Sequence, residues 1–245
     1  VIGGGVVGVE FASVYTDVGV DTTLFEALPD AVLPAGPDAE LSAVVAGSLA
    51  RRGARILGGA RVKPPEITAD GVVLGYETTE GVATIEVDQV LVATGRAPAA
   101  TNLGLADAGV EVDADGFVLV DTATMGTTRP GVYAVGDVVH TPGLAHVAYA
   151  EAIVAVRAIL GEAPMPVDYT RVPWVVYAHP ELAWVGLTEA AAAQAGHAVE
   201  VRRYRFAGNG RAMILGETEG LVKVVAEQGG PILGVHLVGP WASEL

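Results

Sequence analysis

Glycines at positions 3, 5 and 8 give the spacing G-x-G-x-x-G, and Glu26 stands eighteen residues after the last of them. Val1-Ile2 in front reads as a strand end, and the residues from Val6 onward read as a helix. Phe11, Val14, Tyr15 and Val18 recur at helical spacing and give that helix one apolar face. Gly19 is its expected stop, and Leu24-Phe25 ends a second strand at Glu26. In such a strand–turn–helix the first glycine permits the tight turn. The second lets the backbone approach a pyrophosphate, and the third lets helix and strand pack closely. The helix N-terminus offers free N–H groups and the positive end of its dipole. A carboxylate at Glu26 accepts hydrogen bonds from ribose hydroxyls and repels a 2′-phosphate. No Arg or Lys lies between Ala27 and Leu49 to welcome that phosphate, so NAD is expected over NADP.

The pattern continues as half of a doubly wound α/β fold. Asp38 is an expected N-cap for a helix through Arg52, with Leu41, Val44, Val45, Ser48 and Leu49 inward and Gly53 as its stop. Ala54 to Leu57 makes a third strand. Val72–Leu74, Ala83–Ile85 and Val90–Val92, parted by turn residues, read as an antiparallel meander. From 99 to 130 the chain is turn-rich, with a short strand at Phe117–Val120. Val132–Val135 reads as a strand broken by Gly136-Asp137, and a helix is expected from Ala145 to Leu160. Beyond a Pro- and Gly-containing linker, Trp174–Tyr177, Val199–Val201, Leu221–Val225 and Ile232–Val238 read as strands of an α+β domain. One helix interrupts them, capped by Thr188 and stopped at Gly196.

Composition narrows the function. The 245 residues carry a formal charge of −15, which argues against a nucleic-acid partner and against docking on anionic lipid. Apolar residues make up 51%, so disorder is not expected, and no apolar run approaches the ~20 residues of a membrane span. There is no cysteine, hence no disulfide, thiolate metal site or cysteine nucleophile within the chain. The five histidines show no metal-ligand spacing, so no metal site is expected. Asp113-Ala114-Asp115-Gly116 lacks the Glu of a calcium loop and reads as a hairpin turn. Two residues are too few for the strand that the first turn needs in front of it. The chain is therefore expected to be cut within a strand at Val1 and beside a helix at Leu245.

Several segments, in order, carry a resemblance over nearly the whole length. They are Val1-Ile2-Gly3-Gly4-Gly5-Val6-Val7-Gly8-Val9-Glu10-Phe11-Ala12, Ala93-Thr94-Gly95-Arg96-Ala97-Pro98, Tyr133-Ala134-Val135-Gly136-Asp137-Val138 and Leu144-Ala145-His146. Val172-Pro173-Trp174, Tyr177-Ala178-His179-Pro180-Glu181, Val185-Gly186-Leu187-Thr188-Glu189 and Gly234-Val235-His236-Leu237-Val238-Gly239-Pro240 complete the set. Together they resemble the pyridine-nucleotide disulfide oxidoreductases, most closely the branch that oxidises dihydrolipoamide. Ala99, Ala152 and Ala178 depart from the usual pattern and bear on the choice of branch. The resemblance implies a Rossmann-like NAD domain with a meander (1–97), a central segment of an FAD domain (98–167) and part of an α+β dimerisation domain (168–245). The redox cysteines of the FAD domain and a catalytic His-Glu pair would lie outside the chain, leaving no catalytic residue in it.

The resemblance also implies roles. Gly3, Gly4, Gly5, Val6, Val7, Gly8 and Glu26 would hold NAD, with Val62 on the adenosine side and Ala93, Thr94, Gly95 and Arg96 near the nicotinamide. Arg96 reads equally as a structural donor to nearby carbonyls. Glu10 would lie where hydride crosses between flavin and nicotinamide, although in this chain alone it reads as a solvated helix carboxylate. Gly136 and Asp137 would take the FAD ribityl chain, Asp137 alternatively being a cap or turn residue. Leu144, Ala145 and His146 would open a helix toward the flavin ring, His146 reading rather as a packing or hydrogen-bonding residue. The implied protein is a cytoplasmic homodimer that oxidises protein-bound dihydrolipoamide, passing electrons through FAD to NAD. Its partner would be the lipoyl domain of a 2-oxoacid dehydrogenase or glycine cleavage complex. Another flavin disulfide reductase, of the mercuric or glutathione type, is the alternative. So is a binding or dimerisation module without turnover.

Overall fold

The computed structural model describes all 245 residues, Val1–Leu245. They divide into two compact units, one made of Val1–Gly95 with Pro173–Leu245, the other of Arg96–Val172.

In the first unit α1 (Val6–Asp17) follows the glycine turn and leads to β1 (Thr23–Phe25). α2 (Ala39–Arg51) and β2 (Arg55–Leu57) come next, with β2 parallel to β1. Asp38 caps α2 by accepting from the Glu40 N–H at 3.1 Å, as its side-chain type predicts. Ile2 bridges Phe25 on one side and Val92 on the other, both parallel. The spatial order is therefore β2, β1, Val1–Gly3, Val92, which is the strand order of a doubly wound half.

Two expectations are corrected here. Val90–Val92 is not a meander strand: Ile2 donates to the Leu91 carbonyl and Ala93 to that of Ile2, so the segment returns to the parallel layer. The remaining meander is a hairpin of β5 (Val72–Thr78) and β6 (Gly81–Val87). The short strands β3 (Arg61–Val62) and β4 (Glu66–Ile67) lie on the other edge of β5. The apolar stripe of α1 is also not its packed face. Phe11, Val14 and Val18 are 42%, 52% and 71% exposed and Tyr15 is half-buried, while Gly8, Val9, Ala12, Ser13 and Thr16 are buried. At Gly8 the helix lies against the Gly3 carbonyl, where only glycine fits, and Val9 with small Ala12, Ser13 and Thr16 makes up the rest of the buried face.

The second unit is short of regular structure. β7 (Val120–Asp121) pairs with β8 (Gly126–Thr127), and Val118 and Tyr133 make isolated bridges only. The strands expected at Phe117–Val120 and Val132–Val135 are thus mostly irregular. The Asp113–Gly116 turn forms as expected, Asp113 accepting from the N–H groups of Asp115 and Phe117. A one-turn 3-10 helix covers Gly136–Val138, and α3 (Ala145–Ile159) packs Val154 and Ala155 on Val110, Val118, Met125 and Val139.

Back in the first unit the chain forms β9 (Trp174–Val176), β10 (Glu181–Gly186), α4 (Glu189–Gln194), β11 (Val199–Arg205), α5 (Gly210–Leu215), β12 (Leu221–Glu227) and β13 (Ile232–Gly239). The five strands form one antiparallel sheet in the order β11-β12-β13-β10-β9. β10 escapes a sequence reading because Leu182, Ala183 and Trp184 are all buried, which removes the alternation that marks a half-exposed strand. The inner face of this sheet shares one core with α1 and α2: Val176, Leu182, Trp184, Leu221 and Val238 meet Val9, Leu24, Leu41, Val45 and Leu49.

Candidate functional site

The turn before α1 is backbone packed on backbone. A Cβ at Gly3 would sit 2.4 Å from the Ala93 carbonyl oxygen, and Gly3 has φ +107°. At Gly4 it would lie 1.9 Å from the oxygen of Ala31, and at Gly8 1.8 Å from that of Gly3. Gly5 differs: nothing lies within 4 Å of its Cβ position, so this glycine borders open space at the helix N-terminus. No side chain caps that terminus and no acid sits in its first turn, so its N–H groups face outward with the positive end of a twelve-residue helix.

Glu26, at the end of β1, turns its carboxylate to this turn. One oxygen accepts from Gly4 at 2.7 Å, the other from Leu28 at 2.9 Å. A carboxylate has about four acceptor positions, so about two remain for a ligand. Leu33 donates to the Gly4 carbonyl at 2.7 Å, so both polar atoms of Gly4 are held from the stretch that follows β1. Ala93 lies beside Gly8, and Thr94 and Gly95 follow it, exposed. Val62 on β3 pairs with Tyr76 and packs against the Phe25–Leu74–Tyr76 cluster. Glu10 is half-buried and accepts from the Tyr177 N–H at 2.9 Å, so it is a tether between α1 and the end of β9 rather than a freely solvated carboxylate. A cavity of about 480 Å³ lies at the other ends of these strands, against Val1, Thr23 and Leu91, and none of the expected nucleotide residues lines it.

In the second unit, Gly136 is buried with φ +74°, and its N–H donates to Glu151 at 2.7 Å. The other Glu151 oxygen accepts from the Tyr169 hydroxyl at 2.9 Å. Glu151 is fully buried, and burial together with this carboxylate pushes the Tyr169 phenol well above its ordinary range. Sequence reasoning passed over both residues, although a lone acid in the apolar run around Glu151 is a visible signal. Asp137 is exposed and ion-paired to Arg96 at 2.6 Å. Arg96 is thus a donor to a carboxylate, not to carbonyls. Leu144 takes the N-cap position of α3 without a side-chain cap, Ala145 and His146 form its exposed first turn, and Gly143 lies against the Asp137 carboxylate.

A second polar cluster went unread. Lys223 on β12 is 2% exposed, and its ammonium lies 2.8 Å from Asp38, 2.7 Å from Glu40 and 2.7 Å from Glu189. Arg203 on β11 binds Glu40 and Glu189 as well. Burial works against the Lys223 charge, but the three carboxylates outweigh it and raise its pKa. Arg203 and Lys223 hold Glu40 at about 2. Burial also opposes ionisation of Asp38, yet its hydrogen bonds from Lys223 and Glu40 keep it below the usual carboxylate range. His236, buried beside them on β13, bonds the Leu187 carbonyl, and desolvation lowers its pKa.

Known proteins match the chain in sequence and in fold. The family model for pyridine nucleotide-disulphide oxidoreductases matches residues 1–152, and the one for the dimerisation domain of the same family matches residues 172–245. The chain is 44% identical over its whole length to dihydrolipoyl dehydrogenase of Thermus scotoductus and 38% identical to the mitochondrial enzyme of Canis lupus familiaris. It covers 53% and 48% of those proteins, so it spans about half the length of the curated relatives it matches. Among solved structures, LpdA of Mycobacterium tuberculosis superposes with a TM-score of 0.89 at 30% identity, over 99% of this chain and 52% of that one. The HOCl-induced flavoprotein disulfide reductase RclA of Escherichia coli reaches 0.89 at 28%, over 99% and 55%. With both models matched in order, and with the mixed α/β layers and antiparallel sheet described above, the chain belongs to the pyridine nucleotide-disulphide oxidoreductase family.

Proposed function

We propose that this chain is the NAD-binding and dimerisation portion of a flavoprotein that oxidises dihydrolipoamide to lipoamide, with FAD as the intermediate carrier and NAD as the acceptor. The observation that carries the NAD reading is the open Gly5 position at the α1 N-terminus, beside a Glu26 carboxylate with acceptor capacity to spare. The residues present fit a dinucleotide. The backbone of Gly3 to Val7 and the packing of Gly8 receive the pyrophosphate, Glu26 orients the adenosine ribose, Val62 lies on the adenosine side, and Ala93 to Arg96 run toward the nicotinamide. Gly136, Asp137 and the start of α3 at Leu144, Ala145 and His146 fit a flavin, with an exposed carboxylate for ribityl hydroxyls and an uncapped helix N-terminus for a ring that gains negative charge. Bound NAD and FAD supply two-electron redox chemistry, while the protein supplies orientation and electrostatics. The dihydrolipoamide assignment is supported by relatives at 38% and 44% identity that carry that name. It brings with it the division into 1–97, 98–167 and 168–245, a homodimer, a lipoyl-domain partner and a cytoplasmic setting. The similarity to RclA favours a second reading, another flavin disulfide reductase.

Dithiol–disulfide exchange requires a thiolate, and this chain has no cysteine. The 245-residue chain is therefore expected to bind NADH and not to turn over dihydrolipoamide by itself. Fluorescence titration tests the cofactor assignment: NADH should bind about tenfold more tightly than NADPH, about 1.4 kcal/mol. Equal or tighter binding of NADPH would overturn it.

A further inference from the structure

We propose that Lys223 is a positioning residue for the nucleotide turn. Its buried ammonium anchors Asp38 and, through residues 27–38, sets the orientation of the Gly4–Gly5 peptide. The inference rests on the NAD-binding reading and extends it to a residue on β12, far from the turn in sequence.

The geometry runs in a closed circuit. Residues 27–38 leave β1 at Glu26, whose carboxylate takes the Gly4 N–H at 2.7 Å. Midway, Leu33 donates to the Gly4 carbonyl at 2.7 Å, and Ser42 of α2 bonds back to the Leu33 carbonyl at 3.3 Å. Leu33 adopts φ +51°, an unusual conformation for a leucine that only its surroundings hold in place. At the far end Asp38 caps α2, accepts from the Glu189 N–H at 3.4 Å and receives Lys223 at 2.9 Å. A trans peptide points its N–H opposite to its C=O. The Leu33 contact on the Gly4 oxygen thus directs the Gly5 N–H away from residues 27–38. A shift at Asp38 moves Leu33, and with it the donor that would meet the pyrophosphate.

Lys223 is the member of the cluster that Asp38 depends on. Arg203 serves Glu40 and Glu189, while Asp38 has Lys223 as its cationic partner. His236 on the neighbouring strand is pushed toward neutrality by burial and does not replace it. Without the ammonium, Glu40 and Glu189 keep Arg203, but Asp38 is left buried without a cation, and that uncompensated charge loosens its hold at the α2 N-terminus.

The test compares the wild-type chain, Lys223→Met and Lys223→Arg, at a temperature where circular dichroism shows each fully folded. NADH affinity and hydrogen exchange at the Leu33 amide are both measured, the second without nucleotide. Lys223→Met should bind NADH about tenfold more weakly and exchange Leu33 faster, while Lys223→Arg recovers part of both. A purely structural role would lower the melting temperature and leave both readouts of the folded protein unchanged. A folded Lys223→Met with wild-type affinity and wild-type Leu33 exchange overturns the proposal. Should that variant not fold, Asp38→Asn keeps a capping side chain and should weaken NADH binding about threefold; unchanged affinity there also overturns it. If the wild-type chain itself fails to bind NADH, the cofactor reading falls, and Leu33 exchange alone decides whether Lys223 holds the turn.

Discussion

The two glycine turns of the molecule are held by opposite means. In the first unit Gly3, Gly4 and Gly8 are pressed against carbonyl oxygens, so the turn is fixed by shape and has no room for a side chain. In the second unit a Cβ at Gly136 would meet only the Cβ of Ala148, at 3.2 Å. That turn is fixed by polarity, through one buried carboxylate that joins the Gly136 N–H to the Tyr169 hydroxyl. A turn held by backbone contact should fail when volume is added. A turn held by one carboxylate should fail when charge and acceptors are removed.

The largest expected effect is Gly8→Ala, which places a Cβ 1.8 Å from the Gly3 oxygen. It should destabilise the chain by about 3 kcal/mol or more in urea denaturation. Gly5→Ala is its control. That backbone, at φ −72° and ψ −175°, suits any residue, and the site is open. Its stability should stay within about 1 kcal/mol of wild type while NADH affinity falls. Equal losses in the two variants would break the distinction between the packed glycines and the open one.

Glu151→Leu should cost about 2–4 kcal/mol, because a buried N–H and a hydroxyl lose their acceptor together. Glu151→Gln keeps an acceptor and should recover part of it. A neutral Glu151→Leu would show that the second turn is held by shape after all. Smaller still is the acid dependence of the cluster around Lys223. Glu40 is held at about 2 against an ordinary 4.5, a depressed value. Its contribution is therefore complete above about pH 4.5 and is lost as the pH falls toward 2. Because Glu40 is partly exposed, this should amount to no more than about 1 kcal/mol. Thermal melts between pH 5 and 2 should show a steeper decline in wild type than in Glu40→Gln. The smallest effect belongs to Val14→Thr, on the exposed stripe of α1. It should stay within about 0.5 kcal/mol, and a larger loss would mean the stripe is buried after all.

These contrasts explain what could be read beforehand. The Asp38 and Thr188 caps are local signals, in which a side chain accepts from backbone two or three positions on, whereas the glycine spacing and Glu26 are legible as a motif although Gly3 packs on Ala93 and Glu26 binds Gly4. They appear in the structure where the sequence places them. Val90–Val92 has the same β-forming composition in a meander as in a parallel layer, and only its partner Ile2 distinguishes the two. Lys223 and Glu151 offered weaker signals. Lys223 alternates with Leu221 and Val225 on the buried face of β12, and Glu151 interrupts an apolar helix. A charge at an inward position announces a buried partner without saying which one.

The sequence alone determined the family, the first three strands of the doubly wound layer and the turn that a dinucleotide would need, because glycine spacing, caps and periodicity are written in neighbouring residues. The tertiary structure alone decided which face of α1 is buried, which acids Lys223 neutralises and that Leu33 holds Gly4. Hydrophobic periodicity counts apolar character, whereas close packing against a neighbouring backbone selects small volume, and the pairing of distant charges depends on a chain already folded.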